Sequence, residues 1–187
     1  MPPAFPIFRI VRRSLVTTRW LVLFWLGTAA GFGAEVAHEH QIKAAFLYNF
    51  TRFVEWPPSR FATPDTPITI GVMGSERMVR ELERIVAHRQ VNGRAIAVVP
   101  VTTAAEARLV HILFVAAESE IRLEEKLPAG VLTVGETERF AALDGMITFI
   151  TEQDRVRFMI NLAAANHAEL KLSSQLLKLA STVRREP

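Results

Sequence analysis

The 187-residue chain contains no cysteine. Disulfide bonds, thiol nucleophiles, cysteine metal sites and a redox switch of the protein's own are therefore excluded. The apolar core alone has to stabilise the fold, and 50% of the residues are apolar, enough for a sizeable core. The length suits one domain, or one domain that follows a targeting segment.

The chain lacks a net positive charge once the first 34 residues are set aside. The whole chain has 22 basic and 19 acidic residues, a formal net charge of +3. Four of the arginines and none of the acidic residues precede Glu35, so the remainder carries about one net negative charge. Nucleic-acid binding loses its main electrostatic support and is not predicted.

The first 34 residues have the composition of a signal peptide. An arginine-rich start up to Arg19 is followed by an apolar run over 20–26 and by small residues over 27–34. The apolar run is short for crossing a bilayer, and the three-part order is that of a secretory signal cleaved between about residues 30 and 34. An uncleaved anchor and a twin-arginine signal at Arg12-Arg13 are the alternatives. A single exported domain over 35–187 is predicted.

Motifs that indicate catalysis are also missing. The sequence has no G-x-S-x-G motif, no H-E-x-x-H motif and no eight-residue phosphate loop. His38, Glu39 and His40 form a metal-like cluster, but a solvated tail after the leader is the simpler interpretation. His111 opens an apolar strand, where a hydrogen-bonded histidine fits better than a catalytic base. No catalytic residue, metal or cofactor is predicted.

The segment after the leader organises the rest of the chain. Its apolar side chains recur at three- and four-residue steps from Ile42 to Phe53, which predicts an amphipathic helix. Lys43 is assigned to the polar part of the helix surface. The two prolines after Trp56 disfavour helical geometry and are predicted to end the helix there. So aromatic a helix needs cover from the domain that follows.

Strand-like and helix-like segments then alternate. Strands are predicted over 68–72, 95–101, 110–116 and 131–134, and helices over 76–89, 103–108 and 119–126. The nearly continuous apolar run over 110–116 is typical of a parallel strand that is buried on both faces. Ser75 and Thr103 are predicted helix caps, and Asn92-Gly93 a turn with positive φ.

The alternation of strand-like and helix-like segments stops near the C-terminus. Strands over 146–150 and 155–160 are joined by four residues, too few for a crossover helix, so an antiparallel hairpin is predicted. A last helix from Ser173 to about Val183 carries a leucine stripe and is expected to lie beside the first helix. The predicted fold class is α/β: a three-layer domain with a mainly parallel sheet, a C-terminal antiparallel hairpin, and N- and C-terminal helices packed together.

Two candidate sites lie where predicted strands end. Gly71 and Gly74, followed by Ser75, stand between a strand and a helix, where backbone amides can face an anion; a tight turn is the alternative. A crevice near Gly74, Thr102 and Ala117, at the carboxyl ends of the strands, is where a small-ligand-binding protein of this class would hold its ligand.

A second pair of candidates suits contact with a protein partner. Arg155, Arg157 and Met159 point to one side of the last strand and their apolar neighbours to the other, which describes a contact surface or simply a half-exposed strand. Glu55 and Trp56 stand at the end of the first helix, with Trp56 as a candidate anchor. A Trp56 folded back over the core is the alternative.

Six motifs spread over the mature chain carry a family resemblance. They are Lys43-Ala-Ala-Phe-Leu-Tyr-Asn-Phe50, Phe53-Val-Glu-Trp-Pro57, His111-Ile-Leu-Phe-Val115, Val131-Leu-Thr-Val134, Arg155-Val-Arg-Phe-Met-Ile-Asn-Leu-Ala-Ala165 and Leu170-Lys-Leu-Ser-Ser-Gln-Leu-Leu-Lys-Leu-Ala180. Together they resemble the YfiR-like family of exported bacterial proteins. The resemblance covers essentially the whole mature chain, and the motifs are specific as a set.

The resemblance implies a periplasmic regulator without catalysis, active in cyclic di-GMP signalling and biofilm regulation. Such a protein binds and represses the periplasmic sensor domain of an inner-membrane diguanylate cyclase, and an OmpA-like outer-membrane lipoprotein withdraws it. A homodimer paired through the aromatic first helix is a further expectation. The alternative function is that of a periplasmic small-ligand-binding protein that uses the crevice.

The chain departs from the family pattern at two points. The type member carries cysteines that form disulfides, and this chain has none, which puts redox control in doubt. Met159 stands where many relatives are expected to have an acidic or polar residue. The methionine makes the adjacent face more apolar and favours a contact surface there.

Overall fold

A computed structural model describes residues 31–119 and 127–186 of the chain. The strands are β1 (Val54–Glu55), β2 (Ile68–Met73), β3 (Gln90–Val91), β4 (Arg94–Pro100), β5 (Ile112–Val115), β6 (Leu132–Gly135), β7 (Ile147–Glu152), β8 (Arg155–Asn161), β9 (Lys171–Leu172) and β10 (Thr182–Arg184). The helices are α1 (Gly31–Phe53), α2 (Glu76–Val86), α3 (Ala104–Ala107), α4 (Glu138–Ala142), α5 (Leu162–His167) and α6 (Ser174–Leu179).

Two predicted segments lie mostly outside the described residues. Residues 1–30 of the predicted signal peptide and residues 120–126 of the predicted helix over 119–126 are not described. Among the helices that the structure describes, none has the length and apolar character to cross a membrane.

Eight strands form one sheet in the order β10-β8-β7-β6-β5-β2-β4-β3. Neighbours from β4 through β2, β5 and β6 to β7 are parallel, and β8 runs antiparallel to β7. The hairpin turn lies at Gln153 and Asp154, both in the left-handed region with φ of 51° and 57°. The predicted mainly parallel sheet with a C-terminal antiparallel hairpin is confirmed.

Apolar side chains fill both faces of the sheet, which makes the domain three-layered. On one face, sheet residues such as Ile70 and Phe114 form a cluster with residues of α1, α2 and α6. On the other face, Met73 and Leu113 form a smaller cluster with Ala107 of α3. Strand residues alternate between the two clusters because successive side chains point to opposite faces.

The first helix ends earlier than its sequence predicts. The prediction that α1 continues to Trp56 is wrong, because Val54 and Glu55 leave the helix and pair as β1 with Leu172 and Lys171 of β9. The antiparallel backbone pairing of β1 with β9 thus ends the helix three residues before the prolines could.

The last helix is also shorter than predicted. The helix expected to reach Val183 ends at Leu179, because the backbone of Ala180 is extended with ψ of 142°. The Ser181 amide then donates to the Phe158 carbonyl at 2.9 Å, and β10 pairs in parallel with β8. β10, and not the hairpin, therefore forms this border of the sheet.

The N- and C-terminal helices meet as predicted. The amide of Ser173, which caps α6, donates to the carbonyl of Phe53, the last residue of α1, at 2.9 Å. Leu176 of α6 shares one buried cluster with Leu47 and Phe50 of α1. The β1–β9 pair holds the same junction together.

The aromatic side of α1 packs into the core. The rings of Phe46 and Phe50 lie 5.3 and 5.4 Å from the ring of Phe158, with edge-to-face geometry. Phe50 is fully buried. A homodimer paired through this side of α1, as the sequence suggested, would have to use rings that already contact the sheet.

Candidate functional site

The two ends of the parallel strands carry different polar groups. We call the end where β2, β5 and β6 terminate the carboxyl end, and the opposite one the amino end. At the carboxyl end, Lys43 of α1 is only 9% exposed. Its Nζ pairs with Glu39 at 2.7 Å and with Glu136 after β6. The other oxygen of Glu136 accepts from the Ala117 amide at 2.7 Å.

These contacts keep the buried lysine charged. Burial lowers the pKa of an ammonium group, but the hydrogen bonds and charges of Glu136 and Glu39 outweigh it, and the pKa of Lys43 is raised. The assignment of Lys43 to the polar helix surface is therefore wrong. A signal was available, because Glu39 and Lys43 are four residues apart, the spacing of an ion pair along one helix face.

The crevice expected near Gly74, Thr102 and Ala117 has its polar groups engaged within the protein. The Ala117 amide binds Glu136, and the amide and hydroxyl of Thr102 bind the Glu106 carboxylate at 2.7 and 3.0 Å. The ligand-binding alternative thus gains no free polar group from Thr102 or Ala117.

Close packing accounts for the glycines of the candidate anion loop. Gly71 is buried, and a Cβ there would lie 2.7 Å from the Val101 side chain. Gly74 has φ of +86°, and a Cβ would lie 2.8 Å from the Ser119 backbone. The Ser75 hydroxyl accepts from the Met78 amide at 3.3 Å, which confirms Ser75 as the cap of α2. The tight-turn interpretation fits these contacts.

The metal-like cluster does not lie in a tail. His38, Glu39 and His40 belong to α1, and Glu39 is paired with Lys43. Within residues 31–119 and 127–186, no three metal-ligating side chains come together.

At the amino end, His111 lies buried just before β5 and is only 3% exposed. Its Nδ1 accepts from the Thr69 amide at 3.1 Å, so the ring proton of the neutral form is on Nε2. Among the described residues Nε2 has no hydrogen-bond partner. The predicted hydrogen-bonded core histidine is confirmed, with one donor left unsatisfied.

Aromatic rings enclose the His111 imidazole. Phe61 stacks on it at 4.7 Å with an interplanar angle of 20°, and Trp56 meets it edge-on at 5.9 Å. The Trp56 indole donates to the His111 carbonyl at 3.1 Å and packs against the larger core cluster. Trp56 is therefore half-buried and tied to the sheet, as the folded-back alternative described, while Glu55 is exposed.

Two arginines complete this group, which we call the amino-end cluster: Trp56, Arg60, Phe61, Arg94 and His111. The guanidinium of Arg60 donates to the carbonyls of Arg108 and Val110 at 3.2 and 2.6 Å. Arg94 lies 4.0 Å over the Phe61 ring. Burial first, and the Arg60 and Arg94 charges in addition, lower the pKa of His111 to about 4. The Arg60 backbone opposes this shift only in part.

The amino-end cluster borders a groove of about 280 Å³. The groove is lined by Thr51, Val54, Glu55, Trp56, Phe61, Ile68, Asn92 and Arg94. Sequence reasoning identified Glu55 and Trp56 here but missed Arg60, Phe61 and Arg94. No regular pattern marks them, because they come from a loop and from a separate strand.

The hairpin presents the other predicted contact residues. Arg155 and Arg157 are exposed and Met159 is half-buried, on the face of β8 opposite the core residues Phe158 and Ile160. Arg157 has a 3.9 Å ion pair with Glu152, and within the described part of the chain Arg155 has none. This face of β8 is therefore partly exposed, which both the contact-surface and the half-exposed-strand interpretations require.

The predicted contact residues fall into two separate groups. Because β8 runs against the parallel strands, Arg155 lies beyond the carboxyl end, opposite Glu152 at the end of β7. Trp56 lies at the amino end, bonded to the residue before β5. The structure therefore does not bring Trp56 together with Arg155.

A third arginine joins the hairpin residues. β10 places Thr182 opposite Met159 and Arg184 opposite Asn161, so Arg184 shares the face of Arg157. Arg184 has an exposed 3.2 Å ion pair with Asp144. Sequence reasoning missed it because it assigned the preceding residues to a helix.

Comparison with protein families decides the identity. The model of the YfiR/HmsC-like family matches residues 40–181. The chain belongs to this family. The match runs from within α1 to the residue before β10, so the resemblance seen in the six motifs is confirmed.

Solved structures similar to this YfiR/HmsC-like chain are distant. A crystal structure of a conserved domain protein from Vibrio cholerae O1 biovar El Tor has a TM-score of 0.49 and 9% identity. An ABC domain in complex with L-Trp from Streptococcus pneumonia has a TM-score of 0.45 and 13% identity. Each match covers 78% of this chain and 60% of the other. No curated protein matches the sequence.

Membership of the YfiR/HmsC-like family identifies the domain over residues 40–181. Two surfaces of this domain are open to a partner. One is the face of β8 that presents Arg155, Arg157 and Met159, which we call the hairpin face, and the other is the groove beside the amino-end cluster.

Proposed function

We propose that this YfiR/HmsC-like chain is a non-catalytic periplasmic repressor. It binds the periplasmic sensor domain of an inner-membrane diguanylate cyclase and lowers cyclic di-GMP, which restrains biofilm formation. An OmpA-like outer-membrane lipoprotein withdraws it. The family match supports the class of partner, and the signal-like leader supports export.

One observation carries the proposed mode of action: the hairpin face is open and rich in arginine. Arg155, Arg157 and Arg184 share one face with the half-buried Met159. Arginine and methionine are enriched in interfaces, because guanidinium groups and thioethers make both polar and apolar contacts. Docking through this face needs no reactive group.

Glu55 and Trp56 take a smaller part in this proposal. The Trp56 indole already uses its N–H on the His111 carbonyl, so only the exposed part of the ring remains for a partner. Glu55 is exposed beside the groove. They form a secondary contact at the amino end.

Cyclic di-GMP in cells tests the function. Deleting the gene is expected to raise cyclic di-GMP, and the wild-type chain is expected to bring it back. The variant R155E/R157E should be exported and folded but fail to lower the level, because reversed charges oppose docking. The matched control is R80E, since Arg80 is also exposed, with 65% of its side chain accessible on α2.

Co-purification separates the parts of the proposal. Tagged wild-type chain and R80E should retain the cyclase periplasmic domain, and R155E/R157E should lose it. An unchanged cyclic di-GMP level in the deletion strain would count against repression. A normal level of repression by R155E/R157E would count against the hairpin face alone.

A further inference from the structure

We propose that His111 is an acid-sensitive latch, which holds the 56–67 loop and its Trp56 and Phe61 rings against the sheet while neutral and releases them when protonated. The latch goes beyond repression itself and describes how the groove beside the amino-end cluster can respond to acid.

The first step is the position of the imidazole between the loop and the sheet. Its Nδ1 accepts from the Thr69 amide of β2 at 3.1 Å, and its faces and edge contact the rings of Phe61 and Trp56. His111 is one of several side chains that attach the loop to the sheet. Arg60 of the loop also donates to the Arg108 and Val110 carbonyls, and Arg94 of β4 donates to loop carbonyls from Thr63 to Thr66. The indole bond to the His111 carbonyl adds a second tie at the same residue.

The second step is what a proton does to these contacts. Protonation occurs at Nδ1, which turns the acceptor of the Thr69 bond into a donor that faces an N–H group. One hydrogen bond is lost and the amide of Thr69 is left without its acceptor. The buried Nε2 has no hydrogen-bond partner among the described residues, and the Arg60 backbone offsets the cost of the new charge only in part.

The third step is the charge that surrounds the ring. The charged groups that bear on His111 are Arg60, from the turn after β1, and Arg94, from β4. Both are cations, so a new imidazolium charge meets repulsion instead of a counter-ion. The simplest relief is movement of the loop that carries Arg60 and Phe61, since water then reaches the ring.

The consequence is local. Trp56 and Phe61 line the groove and also contact His111, so release of the loop changes the shape of the groove. The core clusters of the sheet do not depend on the 56–67 loop alone. Acid is therefore expected to open the amino end before the domain unfolds.

Tryptophan emission tests the latch in the isolated full chain. The variant W20F/W25F leaves Trp56 as the sole tryptophan, because the chain has three. As pH falls from 7 to 4, Trp56 emission should shift to longer wavelength as the indole meets water. Hydrogen exchange should show the Thr69 amide losing protection, while far-UV circular dichroism stays unchanged.

The variant H111N gives the decisive comparison. Asparagine keeps an acceptor near the Nδ1 position and cannot be protonated, so the shift should disappear. H167N, which changes an exposed histidine, should behave as wild type. The latch is overturned if H111N retains the shift, or if emission and circular dichroism change together as global unfolding.

A direct titration covers the case in which H111N does not fold. NMR of the wild-type histidine rings should show one ring titrating well below pH 6.5, with the Trp56 indole signal moving in step. The absence of such a low-titrating ring, or an indole signal that does not follow it, would overturn the proposal. These measurements use no partner, so a failure of repression would not affect them.

Discussion

The two ends of the sheet solve the problem of a buried ionisable side chain in opposite ways. At the carboxyl end Lys43 is charged and meets two carboxylates and, through Glu136, a backbone amide. At the amino end His111 is neutral and meets two arginines and two aromatic rings. Both residues belong to the motifs shared with the family.

The difference shows how a counter-ion decides what a buried group can do. Lys43 with its counter-ions keeps one protonation state over the ordinary pH range, so the carboxyl end is a fixed joint. His111 has no counter-ion and burial lowers its pKa to about 4, so its protonation state changes in moderately acidic solution and the amino end can respond there. The domain thus contains one buried ionisable group, Lys43, whose contacts do not depend on pH, and one, His111, whose contacts do.

The largest expected effect is at the fixed joint. K43M leaves the Glu136 carboxylate, whose side chain is 12% exposed, without its cation. The free energy of unfolding should fall by about 3–5 kcal/mol in urea titrations, the usual cost of breaking a buried ion pair. The double variant K43M/E136Q should recover part of the loss, because it removes the stranded charge.

An exposed ion pair is the control for K43M. R80M removes the 3.6 Å contact with Glu76 on the surface of α2 and should cost less than about 0.5 kcal/mol. If K43M lowers the free energy of unfolding no more than R80M does, the ion pairs of Lys43 do not stabilise the carboxyl end.

The second effect is acid destabilisation at the amino end. The pKa of His111 is about 4 in the fold against 6.5 normally, so the unfolded chain takes up the proton first. The stabilisation is complete above pH 6.5 and is lost as pH falls towards 4, by about 3 kcal/mol. Urea titrations at pH 7 and pH 4 should show a loss larger by this amount in wild type than in H111N.

This pH dependence separates the two ends. Because the pKa of Lys43 is raised from an already high value, the cost of K43M should be the same at pH 6.5 and pH 8. If H111N and wild type lose equal stability towards pH 4, the exposed carboxylates alone account for acid sensitivity.

A smaller effect tests the glycine turn at the carboxyl end. G74A combines a φ of +86° with a Cβ that approaches the Ser119 backbone, and should cost about 2 kcal/mol. G93A has φ of +78° but open space around its Cβ, and should cost about 1 kcal/mol. Added phosphate should not raise the melting temperature of the wild type. A clear rise would favour the anion-binding interpretation.

Sequence reasoning predicted the sheet because burial and periodicity are local signals. The apolar runs from Ile68 and from Val110, and the short link between β7 and β8, specified the parallel strands and the hairpin. The ends of α1 and α6 were missed because backbone pairing with distant strands decided them. Val54 pairs with Leu172 of β9, and Thr182 pairs with Met159 of β8.

The candidate site was predictable only in part, for the same reason. Arg155, Arg157 and Met159 follow from alternation along one strand. The partners of Lys43 and His111 do not, because Glu136 and Arg60 lie 93 and 51 positions away in the chain. Only the fold brings such groups together, and a single sequence contains no record of that contact.

The smallest effect on stability is expected at the hairpin face, and it should come with the largest effect on repression. Arg155 and Arg157 are exposed, and the ion pair of Arg157 with Glu152 is long, at 3.9 Å. R155A/R157A should therefore change the free energy of unfolding by less than about 0.5 kcal/mol while cyclic di-GMP rises towards the deletion level. K43M should show the reverse order, with reduced export yield but intact repression per folded molecule. If R155A/R157A lost stability as K43M does, the hairpin arginines would be part of the scaffold, and the division between structural ends and a contact face would not hold.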